Sequence, residues 1–394
     1  MSDRRVVCPG CSCLCDGLKK TAGSNLPDEI LACSVGSAWF ANRSQAAGKA
    51  QVPDAAKLRK LLEQSSSPLI TGIENLTTEE QQSVVKVADR YFAGIDTGWS
   101  NSGRGSMAAF QRHGKVTATL GEISHRSDLV LLWFCDPQTT HPRFVERFVR
   151  PKGKQQKRLI AIDQYKTATA EIADEFIQLD KSDAFHFVQQ LRLSLAQGES
   201  QSNLLQRLVS ASYGSLILGK PTGVDANFDI VTDQWFQLVR SLNDHTRFVM
   251  SSLRDDRNGI GANHVLTSMC GFPDAVRFTQ AGPQWNGLEY ATVSIIERRE
   301  CDLLVVCDLG TVGTFEESFS AETIAWLKTI PVVVLSDMAA NRYATADVHL
   351  PVGTPGWTAS GDFVRSDNVP IPMSPMSGVE ITSTLDLFRE LLAS

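Results

Sequence analysis

The stretch DLVLLWFCDP, residues 128–137, decides the fold, because it reads as a buried strand that runs directly into an acidic turn. A second stretch of the same kind, DLLVVCDLG, occupies residues 302–310. Unbroken apolar runs of this length are typical of parallel strands that are covered on both faces. Further strands are predicted at residues 159–162, 215–219 and 332–335. Since the intervening segments are long enough for crossover helices, we predict an α/β protein with doubly wound parallel sheets.

Two parts of the chain repeat one pattern of strand, acidic turn, helix, strand and acidic turn. The first copy continues as RLIAIDQYKTATAEIADEFIQL (158–179), and the second continues as IPVVVLSDMAANRYATADVHLPV (330–352). Three pairs of aspartates correspond at a nearly constant offset along the chain: Asp136 with Asp308, Asp163 with Asp337, and Asp174 with Asp347. We therefore expect two α/β units of the same construction.

The repeated aspartates, together with Thr167, are candidate ligand contacts. Loops at the carboxyl ends of parallel strands are where α/β sheets bind ligands, and short polar side chains there can bind a nucleotide's base or ribose. For any single aspartate, a role as a turn former or helix N-cap is the simpler interpretation. The repetition favours two nucleotide-like groups, or one large cofactor held between the two units.

The segment VVCPGCSCLCDG, residues 6–17, brings together four of the nine cysteines. In a reducing compartment such clusters are more often metal ligands or redox groups than disulfides. The predicted ligands are Cys8, Cys11, Cys15 and Cys33. Cys13 is expected to point away from them. Thiolates bind both zinc and iron–sulfur clusters, so the spacing does not choose the metal, and a thiol-rich loop without metal is the alternative.

Length and charge narrow the class of protein. With 394 residues the chain is long enough for two or three domains, and it has no apolar leader and no apolar run near the ~20 residues that span a bilayer. We therefore expect a cytoplasmic protein that does not enter a membrane. The balance of 38 basic against 44 acidic residues gives a net charge of −6 without a basic stripe, which argues against nucleic acid as a partner.

Four consecutive segments are expected along the chain. They are a cysteine-cluster module at 1–50, a first α/β unit at 51–180, a second α/β region at 181–300, and the second repeat with a C-terminal segment at 301–394. A helix that ends in the serine-rich turn near residues 65–67 is expected to lead from the cysteine module into the first α/β unit.

Several motifs, in order along nearly the whole chain, resemble the B subunit of formylmethanofuran dehydrogenase, a relative of the molybdopterin oxidoreductases. They are CPGCSCLCDG, ACSVG, LVLLWFCDPQTTHPR, IDQYKTATAEIAD and GFPDAVRF with GPQWN. The resemblance implies that the four cysteines hold a four-iron, four-sulfur cluster. It also implies that the α/β units hold molybdopterin guanine dinucleotide with molybdenum or tungsten. A separate small subunit of that family supplies the last cofactor-binding barrel, so this chain is expected to lack one.

The resemblance breaks down where the family carries the cysteine or selenocysteine that binds the metal. Ser102 stands at that position, and Gly103 replaces the neighbouring histidine. A serine oxygen is a hard ligand in place of a soft thiolate. His141 and Arg143 are retained, and so is Arg365 as a cofactor contact, although Ser360 replaces an acid near it. The metal site thus looks degraded within an intact frame, a pattern that resembles the B subunit of a bacterial formyltransferase/hydrolase complex.

Three hypotheses follow for the function. The favoured one is a scaffold subunit, assembled with the other subunits of a complex that releases formate from a formylated methanofuran-type carrier by hydrolysis. The alternative is an active molybdenum or tungsten oxidoreductase subunit, in which Ser102 binds the metal and His141 and Arg143 lie near the substrate. In the absence of cofactor, His141 is expected to be a capped turn residue. A zinc-ribbon module fused to a nucleotide-binding domain is the third possibility.

Overall fold

A computed structural model describes residues 6–19, 30, 33–44, 54–98, 104–153, 156–198, 202–219, 228–254, 257–311, 313–377 and 381–393 of the protein. Ser102 and Gly103 therefore lie outside the described residues. No helix within the ranges above is long and apolar enough to cross a bilayer.

The strands are short, and six of the sixteen are buried along their whole length. In chain order they are β1 (Val6–Cys8), β2 (Cys15–Leu18), β3 (Pro68–Thr71), β4 (Gly94–Ile95), β5 (Leu129–Trp133), β6 (Arg158–Asp163), β7 (Glu175–Gln178), β8 (Tyr213–Leu218), β9 (Arg247–Ser252), β10 (Val276–Thr279), β11 (Gly282–Trp285), β12 (Leu303–Cys307), β13 (Val332–Ser336), β14 (Val348–Pro351), β15 (Gly361–Val364) and β16 (Pro370–Met373). The five strands expected from apolar runs correspond to β5, β6, β8, β12 and β13, so those predictions are confirmed.

Helices fill most of the connections between the strands. They are α1 (Ser34–Ser44), α2 (Ala55–Gln64), α3 (Thr78–Arg90), α4 (Arg104–His113), α5 (Leu120–Arg126), α6 (Pro137–Thr140), α7 (Ala168–Ile172), α8 (Ala184–Gln197), α9 (Asn203–Ser210), α10 (Phe228–Leu242), α11 (Gly259–Cys270), α12 (Thr292–Glu297), α13 (Ala321–Leu327) and α14 (Thr384–Leu392). A π-helical turn (Val145–Val149) follows α6. The helix expected before the serine-rich turn is α2, which ends at Gln64.

The chain forms two compact units. Unit 1 contains Met1–Ser100, Asp256–Arg365 and Pro370–Ser394, and unit 2 contains Asn101–Asp255 and Ser366–Val369. These units differ from the four consecutive segments expected from the sequence, because each unit is assembled from pieces that are distant along the chain.

Five parallel strands form the sheet of unit 2, in the spatial order β7-β6-β5-β8-β9. From β5 the chain builds outward through β6 to β7, and it later adds β8 and β9 on the other side. The strand order therefore reverses between β5 and β8. In doubly wound sheets the crevice at such a reversal, outside the carboxyl ends of the strands, is the usual ligand position.

Seven strands form the sheet of unit 1, in the spatial order β11-β10-β4-β3-β12-β13-β14. The five strands from β4 to β14 are parallel, while β10 and β11 add an antiparallel hairpin at one edge. Here the order reverses between β3 and β12. The α/β class with doubly wound parallel sheets, predicted from the sequence, is confirmed.

The internal repeat is visible in the order of the strands. Strands β5, β6 and β7 of unit 2 take the places that β12, β13 and β14 take in unit 1, and β8 and β9 take the places of β3 and β4. The strand pair precedes its three partners along the chain in unit 1 but follows them in unit 2. Each copy of the repeat thus provides three adjacent parallel strands of one unit.

The aspartate that begins each repeat accepts backbone hydrogen bonds from the start of a neighbouring strand in both units. Asp128, before β5, accepts hydrogen bonds from the backbone N–H groups of Ser212 (2.8 Å) and Tyr213 (3.0 Å) at the start of β8. Asp302, before β12, accepts from the N–H groups of Ser66 (2.8 Å) and Ser67 (2.9 Å) at the start of β3. Each carboxylate therefore joins the two strands between which the sheet order reverses.

Alternation along the strands of unit 1 covers its sheet on both faces. Leu303 and Val305 of β12 pack in a core that also holds Val333 of β13. Leu304 and Val306 point the other way, into a second core beneath α12 and α13. Because successive side chains of a strand face opposite sides, a continuous apolar run is what a sheet buried on both faces requires.

Candidate functional site

The four cysteines predicted to bind metal come from a hairpin and a helix start in unit 1. Strands β1 and β2 pair with Cys8 opposite Cys15, and Cys11 lies in the turn between them. Cys33 immediately precedes α1. Burial, and then the nearby thiols of the other three cysteines, raise the pKa of Cys8 well above its ordinary value. Each of the other three thiols therefore lies close enough to Cys8 to act on it electrostatically.

Two glycines let the backbone approach these sulfurs closely. A Cβ atom at Gly36 would lie 3.3 Å from Cys8 Sγ, and one at Gly10 would lie 3.5 Å from the same atom. The backbone N–H of Gly36 donates to Cys33 Sγ at 3.4 Å. N–H groups directed at sulfur stabilise the thiolate form that metals bind. The donor set and its surroundings therefore fit a thiolate-bound metal centre.

The thiols are neighbours without being gathered around a point. Among the residues that the structure describes, no group of three or more His, Cys, Asp or Glu side chains is arranged to hold a metal ion. A raised pKa keeps Cys8 protonated, whereas metal binding requires the thiolate and supplies the free energy to form it. The shared metal site stays a prediction, and so does the exclusion of Cys13, which is buried in the same hairpin.

In unit 1, Asp308 lies at the carboxyl end of β12 and is fully buried. Its carboxylate accepts hydrogen bonds from Thr311 Oγ1 (2.7 Å) and the backbone N–H of Phe315 (3.3 Å). Burial raises the pKa of Asp308, and these hydrogen bonds oppose the rise. The loop after β12 thus provides partners for its own aspartate.

Asp337 follows β13 at the same edge of the sheet and faces a buried arginine. Arg43 Nε of α1 lies 3.0 Å from Asp337 Oδ2, and both side chains are almost completely buried. Among the described residues, neither carboxylate oxygen of Asp337 has a hydrogen-bond partner, and neither do Nε and Nη1 of Arg43. The pair is held by charge rather than by aligned hydrogen bonds, which leaves donors and acceptors available inside the protein.

A second buried arginine completes this edge. Arg257 Nη2 donates to Asn75 Oδ1 (2.9 Å) and to the carbonyl oxygen of Leu309, while Nη1 has no hydrogen-bond partner within the described part of the chain. Burial, and then the nearby charge of Arg43, lower the pKa of Arg257 to about 9. Sequence reasoning missed both arginines, because each is a single basic residue with no motif around it.

In unit 2, Asp136 and Asp163 lie at the carboxyl ends of β5 and β6. Asp136 accepts from the N–H of Thr169 (3.0 Å) and from Thr139 Oγ1 (2.7 Å). Asp163 accepts from the N–H of Gln164 (2.7 Å), and burial raises its pKa. Thr167 is the N-cap of α7 and accepts from a backbone N–H of that helix. Asp163 and Asp337 both lie at carboxyl ends of parallel strands, as the repeat predicts, while a common cleft between them stays a prediction.

The third aspartate pair lies at the opposite edge of each sheet. Asp174 accepts from the backbone N–H of Leu159 (2.7 Å) at the start of β6, and also from Arg150 Nη2 (2.5 Å). Asp347 accepts in the same way from the N–H of Val332 (3.0 Å) at the start of β13. Because these are amino ends of parallel strands, the structure gives the pair a role in joining strands, away from the edge where ligands bind.

The remaining predicted residues are engaged within their own units. His141, at the end of α6, is buried, with Nδ1 2.9 Å from Thr140 Oγ1 and Nε2 3.1 Å from the carbonyl oxygen of Arg254. Arg143 Nε donates to Glu146 Oε1 at 2.5 Å. In unit 1, Arg365 Nη1 lies 3.8 Å from a carboxylate oxygen of Asp16, next to Cys15.

Comparisons with known proteins place the chain among relatives of one kind of subunit. No family model matches it. It is 27% identical to the B subunit of tungsten-containing formylmethanofuran dehydrogenase 2 from Methanococcus maripaludis, over 94% of this chain and 93% of the relative. The corresponding B subunit from Methanocaldococcus jannaschii is also 27% identical, over 94% and 92%. The sequence resemblance to this type of subunit is therefore shown along almost the whole chain.

Two solved structures share the fold. One belongs to the formyltransferase/hydrolase complex from Methylorubrum extorquens with methylofuran, at a TM-score of 0.69 and 19% identity over 86% of this chain and 93% of the other. The other is acetylene hydratase from Pelobacter acetylenicus, at a TM-score of 0.61 and 13% identity over 98% of this chain and 68% of the other. At these identities the two structures bear on the fold alone, and they confirm the predicted α/β architecture.

Proposed function

We propose that this chain acts in one-carbon metabolism as a relative of the formylmethanofuran dehydrogenase B subunit. Its proposed role is that of a scaffold in a formyltransferase/hydrolase complex, which releases formate from a formylated methanofuran-type carrier. The observation that carries the proposal is the sequence relationship to that B subunit, which extends over 94% of the chain. The fold shared with a chain of the formyltransferase/hydrolase complex supports it. The other subunits of that complex are the proposed partners.

The scaffold role is supported by how the carboxylates at the strand ends are used. Asp136 and Asp308 already accept hydrogen bonds from their own or neighbouring loops, at distances of 2.7 to 3.3 Å. A buried carboxylate with such partners needs no ligand to be satisfied. Ser102, in place of a thiolate ligand, points in the same direction. Formate release by hydrolysis requires an activated water, which we assign to another subunit.

The cysteine site is proposed to hold a four-iron, four-sulfur cluster between Cys8, Cys11, Cys15 and Cys33. When bound, such a cluster supplies electron transfer and free energy of folding. In a scaffold subunit the second contribution is the one that matters, because the thiolates would fasten the β1–β2 hairpin to the start of α1. Within this chain, the N–H of Gly36 donates to Cys33 Sγ, and the missing side chain of Gly10 leaves room beside Cys8 Sγ.

One observation favours a second candidate, an active oxidoreductase subunit with molybdopterin guanine dinucleotide and molybdenum or tungsten. Arg43 Nη1, Arg257 Nη1 and both oxygens of Asp337 are buried at the carboxyl edge of unit 1, and none of the residues that the structure describes gives them a hydrogen bond. A heterocycle edge that carries donors beside acceptors would complement these groups. Arg43, Arg257 and Asp337 are therefore the residues proposed to contact such a cofactor in this unit, and ordered water is the simpler occupant.

The two candidates are separated by measurements on the purified complex. We would prepare it with the native subunit, with Ser102→Cys, and with Ser102→Ala as the matched control. Iron, molybdenum and tungsten contents, formate release from the formylated carrier, and formate oxidation with an artificial electron acceptor are measured for each. The scaffold role predicts equal formate release in all three and no oxidation by the native complex. Dye-linked oxidation by the native complex that Ser102→Ala abolishes, with stoichiometric molybdenum or tungsten, would establish the second candidate instead.

A further inference from the structure

We propose that helix α1 couples the cysteine site to the loop after β12, so that metal bound at the cysteines and order in that loop stabilise each other. This loop comprises Asp308–Thr311 and is called the β12 loop. The inference rests on the proposed metal site, and it concerns what that site does inside unit 1. A cluster at the cysteines would then have a structural function, the stabilisation of the β12 loop, even in a subunit that transfers no electrons.

One end of α1 is built into the cysteine site. The helix starts at the residue after Cys33, and the N–H of Ser37 donates to the carbonyl oxygen of Cys33 at 2.8 Å. The N–H of Gly36 donates to the sulfur of the same residue at 3.4 Å. Any change in the position or charge of Cys33 Sγ is therefore felt by the first turn of the helix.

The buried face of α1 holds the β12 loop through two side chains. Trp39 Nε1 donates to the carbonyl oxygen of Gly310 at 2.7 Å, and Arg43 Nη2 donates to that of Thr311 at 2.7 Å. The guanidinium of Arg43 stacks over the Trp39 ring, 5.0 Å from its centroid, so that the two side chains support each other. Arg43 also forms the ion pair with Asp337. A rigid helix thus joins Cys33 to two successive carbonyl groups of the loop.

The turn of the cysteine hairpin also packs against a second part of unit 1, near Gly356. A Cβ atom at Gly356 would lie only 3.0 Å from Pro9 Cγ, so the turn between Cys8 and Cys11 rests directly on that backbone. Phe40, next to Trp39 on α1, packs edge-on against Trp357 at 5.9 Å. Gathering the four sulfurs around a metal must therefore fix α1 rather than leave the hairpin to move alone.

Thermodynamic linkage makes this coupling testable from both ends. If metal binding favours the ordered β12 loop, the ordered loop favours metal binding by the same factor, so weakening the contacts between α1 and the loop must weaken metal binding. Trp39→Phe removes one buried hydrogen bond and keeps an aromatic ring in place. Ser37→Ala is the matched control on the same helix, since the Ser37 hydroxyl donates to the carbonyl oxygen of Ser34 at 3.2 Å, at the exposed start of the helix.

The experiment uses the full chain reconstituted with iron and sulfide under anaerobic conditions. Iron release to a chelator should be about fivefold faster for Trp39→Phe than for wild type, as expected for one lost buried hydrogen bond, and unchanged for Ser37→Ala. In the reverse direction, amide hydrogen exchange at residues 308–311 should be about fivefold or more faster in Cys11→Ser than in the iron-loaded wild type.

The possible failures are distinguishable. Wild-type protein that takes up no iron would overturn the proposed metal site, and the coupling with it. Two results together would overturn the coupling alone, provided that the protein takes up iron. The iron release rates of Trp39→Phe and Ser37→Ala would be equal, and amide hydrogen exchange at residues 308–311 would be the same in Cys11→Ser as in the iron-loaded wild type. The proposed scaffold function would stand in that case, because it depends on assembly and not on α1.

Discussion

Replacing Glu80 by Gln should remove a pH dependence of stability that one buried carboxyl imposes on unit 1. Glu80 is 2% exposed in the first turn of α3. It accepts from the backbone N–H of Thr77 at 2.8 Å and also from N–H groups at the start of α14, at Thr384 and Leu385. Burial raises the pKa of Glu80 from 4.5 to about 7, although these hydrogen bonds oppose the rise.

The direction of the effect follows from proton binding. Between pH 4.5 and 7 the folded state keeps the proton on Glu80 while the unfolded state has lost it, so the free energy of unfolding falls as the pH rises. Across the full range the free energy of unfolding falls by about 3 kcal/mol, and between pH 5.5 and 7.5 it falls by about 2 kcal/mol. A Gln side chain has nearly the same shape and does not titrate.

Urea unfolding at pH 5.5 and 7.5 measures this difference. Wild type should lose about 2 kcal/mol more than Glu80→Gln across that range. The matched control is Glu79→Gln, one residue earlier on α3, where the side chain is at the surface and pairs with Arg389 at 2.6 Å. It should keep the wild-type dependence on pH. Equal pH dependence in wild type and Glu80→Gln would show that the buried carboxyl does not hold its proton, and would refute the reasoning.

Three further changes test the fold and the site. Asp302→Asn should lower the free energy of unfolding at neutral pH by about 1 to 2 kcal/mol. The reason is that hydrogen bonds such as that from Ser66 outweigh the effect of burial and lower the pKa of Asp302 to about 2. The difference from wild type, measured by urea unfolding, should shrink as the pH falls from 3.8 toward 2. Cys11→Ser should abolish iron uptake and lower the thermal midpoint, while formate release per assembled complex stays unchanged; an equally stable, iron-loaded variant would contradict this. Gly361→Ala should lower the free energy of unfolding, measured in urea, by more than about 2 kcal/mol. The φ angle there is 143°, and the new Cβ would lie 2.3 Å from a side-chain carbon of the N-cap residue of α3. Gly121→Ala is the control and should change stability little, because the nearest atom to its Cβ lies at 3.8 Å.

The sequence predicts the strands with the clearest apolar runs and misses strands such as β3 and β9. β5 and β12 read as LVLLW and LLVVC, and such runs have few alternatives in a sheet covered on both faces. β3 begins with a proline and has only four residues, and β9 ends in two serines, so neither carries the pattern. Both strands take their places through pairing with β12 and β8, which is information that a local pattern does not contain.

The candidate site divides along the same line. Cys8, Cys11 and Cys15 are close in sequence, so a hairpin brings them together, and the spacing predicts it. Arg43 and Asp337 are far apart in sequence, and only the packing of α1 against the strand ends brings them to 3.0 Å. For Asp174 and Asp347, the repeat showed that the two residues correspond, but it did not show whether they lie at the amino or the carboxyl ends of the parallel strands. The missed signal was that each precedes a strand, which places it at an amino end.

The interleaved repeat limits how unit 1 can form. Its central strands β3 and β12 pair in register from Pro68 with Leu303 to Thr71 with Val306, although most of unit 2 lies between them along the chain. Contacts of such high sequence separation carry a large loop-closure cost before they contribute any stability. Prior folding of unit 2 shortens the effective loop, because the parallel strands from β5 to β9 hold the intervening chain compact. Asp302 and the serines before β3 then bring the two strand starts together, and β12 completes the sheet. Helix α1 packs on the β12 loop, so we expect its packing, and any metal binding at the proposed cysteine site, to follow this step.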